Sequence, residues 1–230
     1  MSTGTVGTWK EERPEIAEFV PKDRTVRFVD GSTTRDVDAI VFCTGYLYSY
    51  PFLSSLEPPL TSDGARTEHV YQHIFYIPHP TLTFLALPQR IVPFPIAESQ
   101  SAVIARVWNN RIQLPPAEAM RQWESRIIEE VGEGKLFHNL AFPRDVDYIN
   151  ALYEWSMQAR RPDLGLAPPR WGERERWVRE RCAAMRAAFG AQGENRHHIR
   201  TLKELGFDPE AGVIEQSSVR SLSLDHFSTL

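Results

Sequence analysis

The sequence predicts an α+β fold, and three observations carry that reading. Short β-branched and aromatic runs, punctuated by turn residues, fill the first part of the chain. From Pro95 onward the apolar residues recur at helical spacing instead. The two kinds of segment follow one another and do not alternate, as strand and helix would in a complete doubly wound domain. That order points to a part of the domain lying upstream of this sequence.

Bulk properties narrow the class. At 230 residues, with 42% hydrophobic, 24% charged and 11% aromatic content, the chain can bury the core of one large or two small domains. A net charge of −4 and a pI near 6.0 exclude a broad nucleic-acid-binding surface. Two distant cysteines, Cys43 and Cys182, are too few for a disulfide framework and predict free thiols in a reducing compartment. The start, MSTGTVGTWKEERPEI, has no apolar run of signal-peptide length, and no segment nears the roughly 20 apolar residues that span a bilayer. A cytoplasmic protein is the expectation.

The elements are predicted in order as follows. Ile16–Val20 and Thr25–Val29 are short strands joined by Pro-Lys-Asp, with Asp30-Gly31 marking the next turn. Ala39–Cys43 is an apolar strand, and residues 47–68 are loop, with Pro51, Pro58, Pro59 and Gly64. Val70–Ile77 and Thr81–Leu87 have the length and content of strands, separated by Pro78-His79-Pro80. A helix opens at Pro95, a residue suited to the first turn, with Val103, Ile104, Val107 and Trp108 on one face and Glu98 where the dipole favours an acid. A second starts at Leu114-Pro115-Pro116, presents Met120, Trp123, Ile127 and Val131, and stops at Gly132. A third covers Asp145 to about Ala159. A fourth spans roughly Glu173–Phe189 with an apolar stripe at Val178, Cys182, Met185 and Phe189, ended by Gly190. Residues 191–230 form a polar tail with one possible short helix around His198–Leu205.

Two segments carry chemistry. Val41-Phe42-Cys43-Thr44-Gly45-Tyr46 is an apolar run that ends on Thr-Gly, where a glycine lets a ligand approach the backbone at a strand's C-terminal edge. On local pattern alone an ordinary core strand followed by a tight turn is the commoner reading, because a lone Thr-Gly is common. Pro95-Ile-Ala-Glu-Ser-Gln100 opens a helix whose N-terminus offers unpaired N–H groups and a positive dipole end. His69 and His73 have a metal-like spacing in a helix, but in a strand they stand about 13 Å apart, so no metal site is predicted. His197-His198 lies in the polar tail, and the Arg-rich stretch from Arg174 to Arg186 is balanced by Glu173, Glu175 and Glu180 as a solvated face, with a partner surface as the alternative. Tyr46, Tyr48, Tyr50 and Phe52 alternate and line either a cavity or a core edge.

Taken together, these segments resemble the flavin-containing monooxygenase family. A family strand ends in Ala-Thr-Gly-Tyr, with Cys43 here in place of Ala, and Arg24–Ser32 followed by Asp38-Ala-Ile-Val is similar to the hairpin that precedes it. Pro95-Ile-Ala-Glu-Ser-Gln100, running on to Leu114-Pro115, resembles the family's Pro-x-x-Glu-x-Gln element. Val70–Leu85, Tyr148-Ile-Asn-Ala-Leu and Pro169-Arg-Trp-Gly-Glu are similar to the fungal branch, so the resemblance covers about residues 20–190.

The resemblance implies the C-terminal portion of such an enzyme. Residues 1–190 would hold the closing strands of a Rossmann-like FAD-binding domain (16–87) and a helical region (95–190), with 191–230 as the tail. It further implies FAD, NADPH and O₂ as reactants and a nitrogen- or sulfur-containing nucleophile as substrate, in the manner of an N,N-dimethylaniline-type monooxygenase. Thr44, Gly45 and Tyr46 would border the flavin, while Pro95, Glu98 and Gln100 would aim the helix end toward it; none of them is assigned a catalytic role. The family's two Gly-x-Gly-x-x-Gly loops and its Phe-x-Gly-x-x-x-His signature do not occur in this sequence. The chain is therefore expected to be inactive alone and to need a missing N-terminal half. The alternative is a non-catalytic remnant or protein-interaction module.

Overall fold

The computed structural model describes residues 11–211. It divides into two compact units, one ending at Tyr46 and the other beginning at Leu47. In the first, β1 (Ile16–Val20), β2 (Thr25–Phe28) and β3 (Thr33–Thr34) form an antiparallel meander in that order. Val26 and Phe28 alternate inward from β2 and are buried. The β2–β3 turn is made by Asp30, whose carboxylate accepts the backbone N–H and hydroxyl of Ser32, and by Gly31 at φ +83°. Arg24 donates to the Val37 carbonyl and pairs with Asp38, fixing where the chain leaves the sheet.

The predicted strand Ala39–Cys43 is not formed. Residues 35–50 carry no regular structure, and Val41 and Phe42 are 82% and 70% exposed. A strand is held by its cross-strand partners, and among the described residues no strand pairs with this run, although the Phe42 ring meets Phe19 of β1 edge-on at 6.0 Å. An open cleft of about 270 Å³ separates residues 37–40 from β1 and β2.

In the second unit, β4 (Val70–Tyr71) and β5 (Phe75–Tyr76) pair as a tight antiparallel hairpin. The predicted single strand Val70–Ile77 folds back on itself because Gln72 and His73 sit at φ 53° and 54°, the left-handed geometry of a primed hairpin turn. Thr81–Leu87, predicted as a strand, makes only a bridge from Thr83 to Phe75 and two flanking hydrogen bonds before Ala86, at φ 56°, turns it away.

Among the described residues five α-helices follow: α1 (Pro93–Trp108), α2 (Ala117–Val131), α3 (Arg144–Met157), α4 (Glu173–Glu180) and α5 (Cys182–Ala191). Ile96, Val103 and Ile104 of α1 and Ile149 and Leu152 of α3 close on Ile74 and Phe75 to make the main core. A second cluster gathers Val70, Leu87 and Phe137 beneath Trp123, Ile127 and Ile128 of α2. Helix α2 ends where predicted: Gly132 takes φ +87° and returns its N–H to Ile128. The predicted helix Glu173–Phe189 is interrupted at Arg181, which folds back over the Trp177 ring, 4.5 Å from its centroid, and donates to the Trp177 carbonyl. In the tail, residues 212–230 lie outside the described part, and the expected short helix reduces to 3₁₀ turns at Gly193–His198 and Lys203–Leu205. No described helix is long and apolar enough to cross a membrane.

The Gln72–His73 turn gives a direct test of strain. Asn tolerates the left-handed region better than Gln, so Gln72→Asn is expected to stabilise by roughly 0.5–1 kcal/mol and raise the melting temperature by a few degrees. An unchanged or lower midpoint would show that the turn is relaxed.

Candidate cofactor-facing site

The six sequence-predicted site residues fall three and three on the two units. Thr44, Gly45 and Tyr46 end the extended run of the first unit, all exposed, with Tyr46 98% open. Gly45 sits at φ +84°, a conformation that calls for glycine, and a Cβ built there would meet nothing within 4 Å. A planar ligand could therefore approach its backbone unhindered. Pro95, Glu98 and Gln100 all lie on α1, in the second unit.

Helix α1 begins two residues earlier than predicted, at Pro93. Pro95 is thus its third residue, and Glu98 lies beyond the first turn, exposed, where the helix dipole has weakened. No side chain caps this end, and prolines at the first and third positions leave Phe94 as the sole N–H donor among the first three. Phe94 itself is 84% exposed. The end offers a dipole and an apolar ring more than a nest of donors.

Gln100 is fully buried. Its Oε1 accepts the Ala86 N–H at 2.8 Å, its Nε2 donates to the Tyr148 hydroxyl at 3.0 Å, and that hydroxyl donates to the Gln72 carbonyl at 2.6 Å. Burial pushes the Tyr148 phenol well up, with the Gln100 hydrogen bond opposing, so it serves as a neutral donor. The run from Ala86 into α1 is pinned elsewhere too. Tyr48 donates to the Leu87 carbonyl, Gln89 exchanges backbone bonds with His138 and Leu140, and Arg179 donates to the Arg90 carbonyl. Tyr48 and Tyr50, left open by the sequence, form a core edge: their hydroxyls bond Leu87 and Thr67, and Tyr50 packs on Phe84.

The sequence also left unnoticed a buried imidazole pair. His73 and His138 meet Nδ1 to Nδ1 at 3.0 Å, ringed by Trp123, Phe137 and Tyr148. His138 Nε2 faces the backbone of Thr67 at 3.1 Å. Next to it, Arg66 and Glu124 form a buried ion pair at 2.8 Å. Burial first, then His138 and Arg144, holds His73 well below the ordinary imidazole range. Burial likewise brings His138 to about 4, assisted by Arg66 and opposed by its Thr67 hydrogen bond. No local pattern marks a partner 65 residues away; Tyr148 at least stood inside a motif noted in the sequence. No described group of three or more His, Cys, Asp or Glu could hold a metal.

With this geometry in place, comparison with known proteins decides the family. Residues 6–165 match the profile of the flavin-binding monooxygenase-like family. The chain belongs to that family. It is 32% identical over 184 residues to the flavin-containing monooxygenase ustF2 of Aspergillus flavus, covering 74% of this chain and 37% of that protein. It is 35% identical over 96 residues to the thiol-specific monooxygenase of Saccharomyces cerevisiae, covering 38% of this chain and 22% of that protein. Among solved structures it resembles S-allyl-L-cysteine S-oxygenase from Allium sativum, with a TM-score of 0.65 and 28% identity over 88% of this chain and 43% of that one. The chain thus spans less than half the length of these relatives.

The imidazole pair predicts a pH dependence of folding. Both rings are neutral when folded, whereas unfolded they titrate near 6.5. Their contribution is therefore complete above pH 6.5 and is lost as the pH falls through the folded values, because the unfolded chain then binds more protons. For His138 the loss between pH 6.5 and about 4 is on the order of 3 kcal/mol. Urea midpoints at pH 7 and 4.5 should differ more for the natural chain than for His138→Asn; equal differences would remove the pair from the pH response.

Proposed function

We propose that this chain supplies the flavin-facing part of an FAD- and NADPH-dependent monooxygenase that oxygenates a soft nucleophile, a small sulfur- or nitrogen-containing molecule. The family match over residues 6–165 carries this reading. The names of two similar proteins, a thiol-specific monooxygenase and an S-allyl-L-cysteine S-oxygenase, favour sulfur as the atom oxygenated. When bound, the flavin would accept hydride from NADPH and activate O₂ for transfer of one oxygen atom.

The residues present fit a bordering role toward that group. Thr44, Gly45 and Tyr46 present open backbone at a glycine that leaves room for a ring. Pro95, Glu98 and Gln100 would set the direction of an uncapped helix end, whose dipole favours negative charge on a reduced ring. In this reading, residues 16–87 supply the closing strands of a Rossmann-like domain, residues 95–190 its helical region and residues 191–230 a tail, in a cytoplasmic enzyme with two free cysteines. No Gly-x-Gly-x-x-Gly loop occurs in the sequence to anchor either dinucleotide's phosphates, so those loops would come from an N-terminal half.

The test is reconstitution. The purified chain should bind FAD weakly or not at all, and NADPH oxidation with sulfur oxygenation should appear only on mixing with a polypeptide carrying both glycine loops. A chain that stays yellow through gel filtration by itself would overturn the need for that half. No flavin binding in the mixture would favour a non-catalytic interaction module.

A further inference from the structure

Strain in the second unit is concentrated rather than scattered. Five of its non-glycine residues with positive φ lie around the approach to α1: His69 at 58°, Gln72 at 53°, His73 at 54°, Ala86 at 56° and Arg90 at 59°. Each would cost about 1–2 kcal/mol in isolation, so each needs something to hold it. Every one is gripped by a polar side chain from a helical element. Glu124 of α2 accepts the His69 N–H at 2.8 Å, Tyr148 of α3 donates to the Gln72 carbonyl, and His138 binds the His73 ring. Gln100 of α1 accepts the Ala86 N–H, and Arg179 of α4 donates to the Arg90 carbonyl at 2.8 Å.

Two of these grips form one chain, in which Gln100 joins the Ala86 N–H to the Tyr148 hydroxyl and through it to the Gln72 carbonyl. Both ends of the chain sit on left-handed residues. Gln100 is fully buried, and Tyr148 nearly so. We propose that Gln100 and Tyr148 are positioning residues of the monooxygenase site: their buried hydrogen-bond chain holds Ala86 and Gln72 in left-handed conformations and so fixes the residue 86–92 approach that aims the N-terminal end of α1. This rests on the proposed function for what the helix end meets, but the strut itself can be read in the chain alone. Gln100 then serves the cofactor without touching it. The strain has a purpose in this arrangement, since a loop held out of its relaxed conformation returns to one orientation only while the strut is intact.

The experiment compares Gln100→Met, Tyr148→Phe and Ile149→Val, the last a core change outside the strut. In the chain alone, amide hydrogen exchange at Gln89 and Leu140 should speed up about tenfold in Gln100→Met, with α2 unchanged, as expected for loss of one buried hydrogen bond. Ala86→Gly added to Gln100→Met should restore that protection, because glycine takes φ 56° without help; a side chain that merely fills the core gives no such rescue. In the complex reassembled with a glycine-loop half, Gln100→Met and Tyr148→Phe should weaken FAD binding about tenfold and shift the visible circular dichroism of the bound flavin. Ile149→Val should leave both readings as in the natural chain. Exchange that rises uniformly, or an Ala86→Gly addition that worsens it, overturns the strut. Flavin bound alike by natural chain and variants overturns the positioning role alone. A natural assembly that binds no flavin overturns the functional reading and the positioning role with it, while the exchange results still decide the strut.

Discussion

The helical unit depends on one buried amide. Gln100 has no exposed surface, so its oxygen and nitrogen must find partners inside, and an unpaired buried amide costs roughly as much as the hydrogen bond it fails to make. It finds them in two places that the chain could not otherwise keep: the Ala86 N–H and the Tyr148 hydroxyl. Removing the amide would take the acceptor from the Ala86 N–H and the donor from the Tyr148 oxygen, leaving the phenol only its bond to the Gln72 carbonyl. The apolar contacts of Ile96, Val103, Ile149 and Leu152 supply most of the burial, yet they are non-directional and would tolerate α1 in neighbouring orientations. The polar chain selects among those orientations.

The same logic explains the imidazole pair and the Arg66–Glu124 ion pair beside it. Both sit where the 66–73 segment crosses beneath α2, and each satisfies backbone groups that a strand ladder would satisfy elsewhere: Thr67 through His138, His69 through Glu124. The hairpin of β4 and β5 is two residues per strand. So short a ladder cannot hold itself, and side chains from the helices complete it.

The first unit is built on the opposite terms. Among the described residues its three strands pair with one another alone, and the run after them, residues 39–46, shows solvent an apolar face that includes Val41 and Phe42. In sequence this run reads as a buried central strand, because composition reports what a segment is suited to and not what lies beside it. Its neighbours decide whether that suitability is used. The first-unit hairpin, by contrast, was legible, since Asp30-Gly31 supplies its turn locally.

Amphipathic spacing placed the helices of residues 93–157 in order and their starts to within a few residues, because that spacing and the stop at Gly132 are local properties of the chain, whereas the end of α1 at Trp108 was not marked. Residue identities, not periodicity, carried the family resemblance, in motifs that survive as short ordered words. Tertiary structure decided the rest. The break at Arg181 depends on a guanidinium finding the Trp177 ring, and the fold-back at Gln72-His73 on partners at positions 138 and 148. Gln100 shows the division most clearly. Its place in Pro95–Gln100 was visible in the sequence, but its task was not, since the groups it joins stand 14 and 48 residues away and are brought to it only by packing.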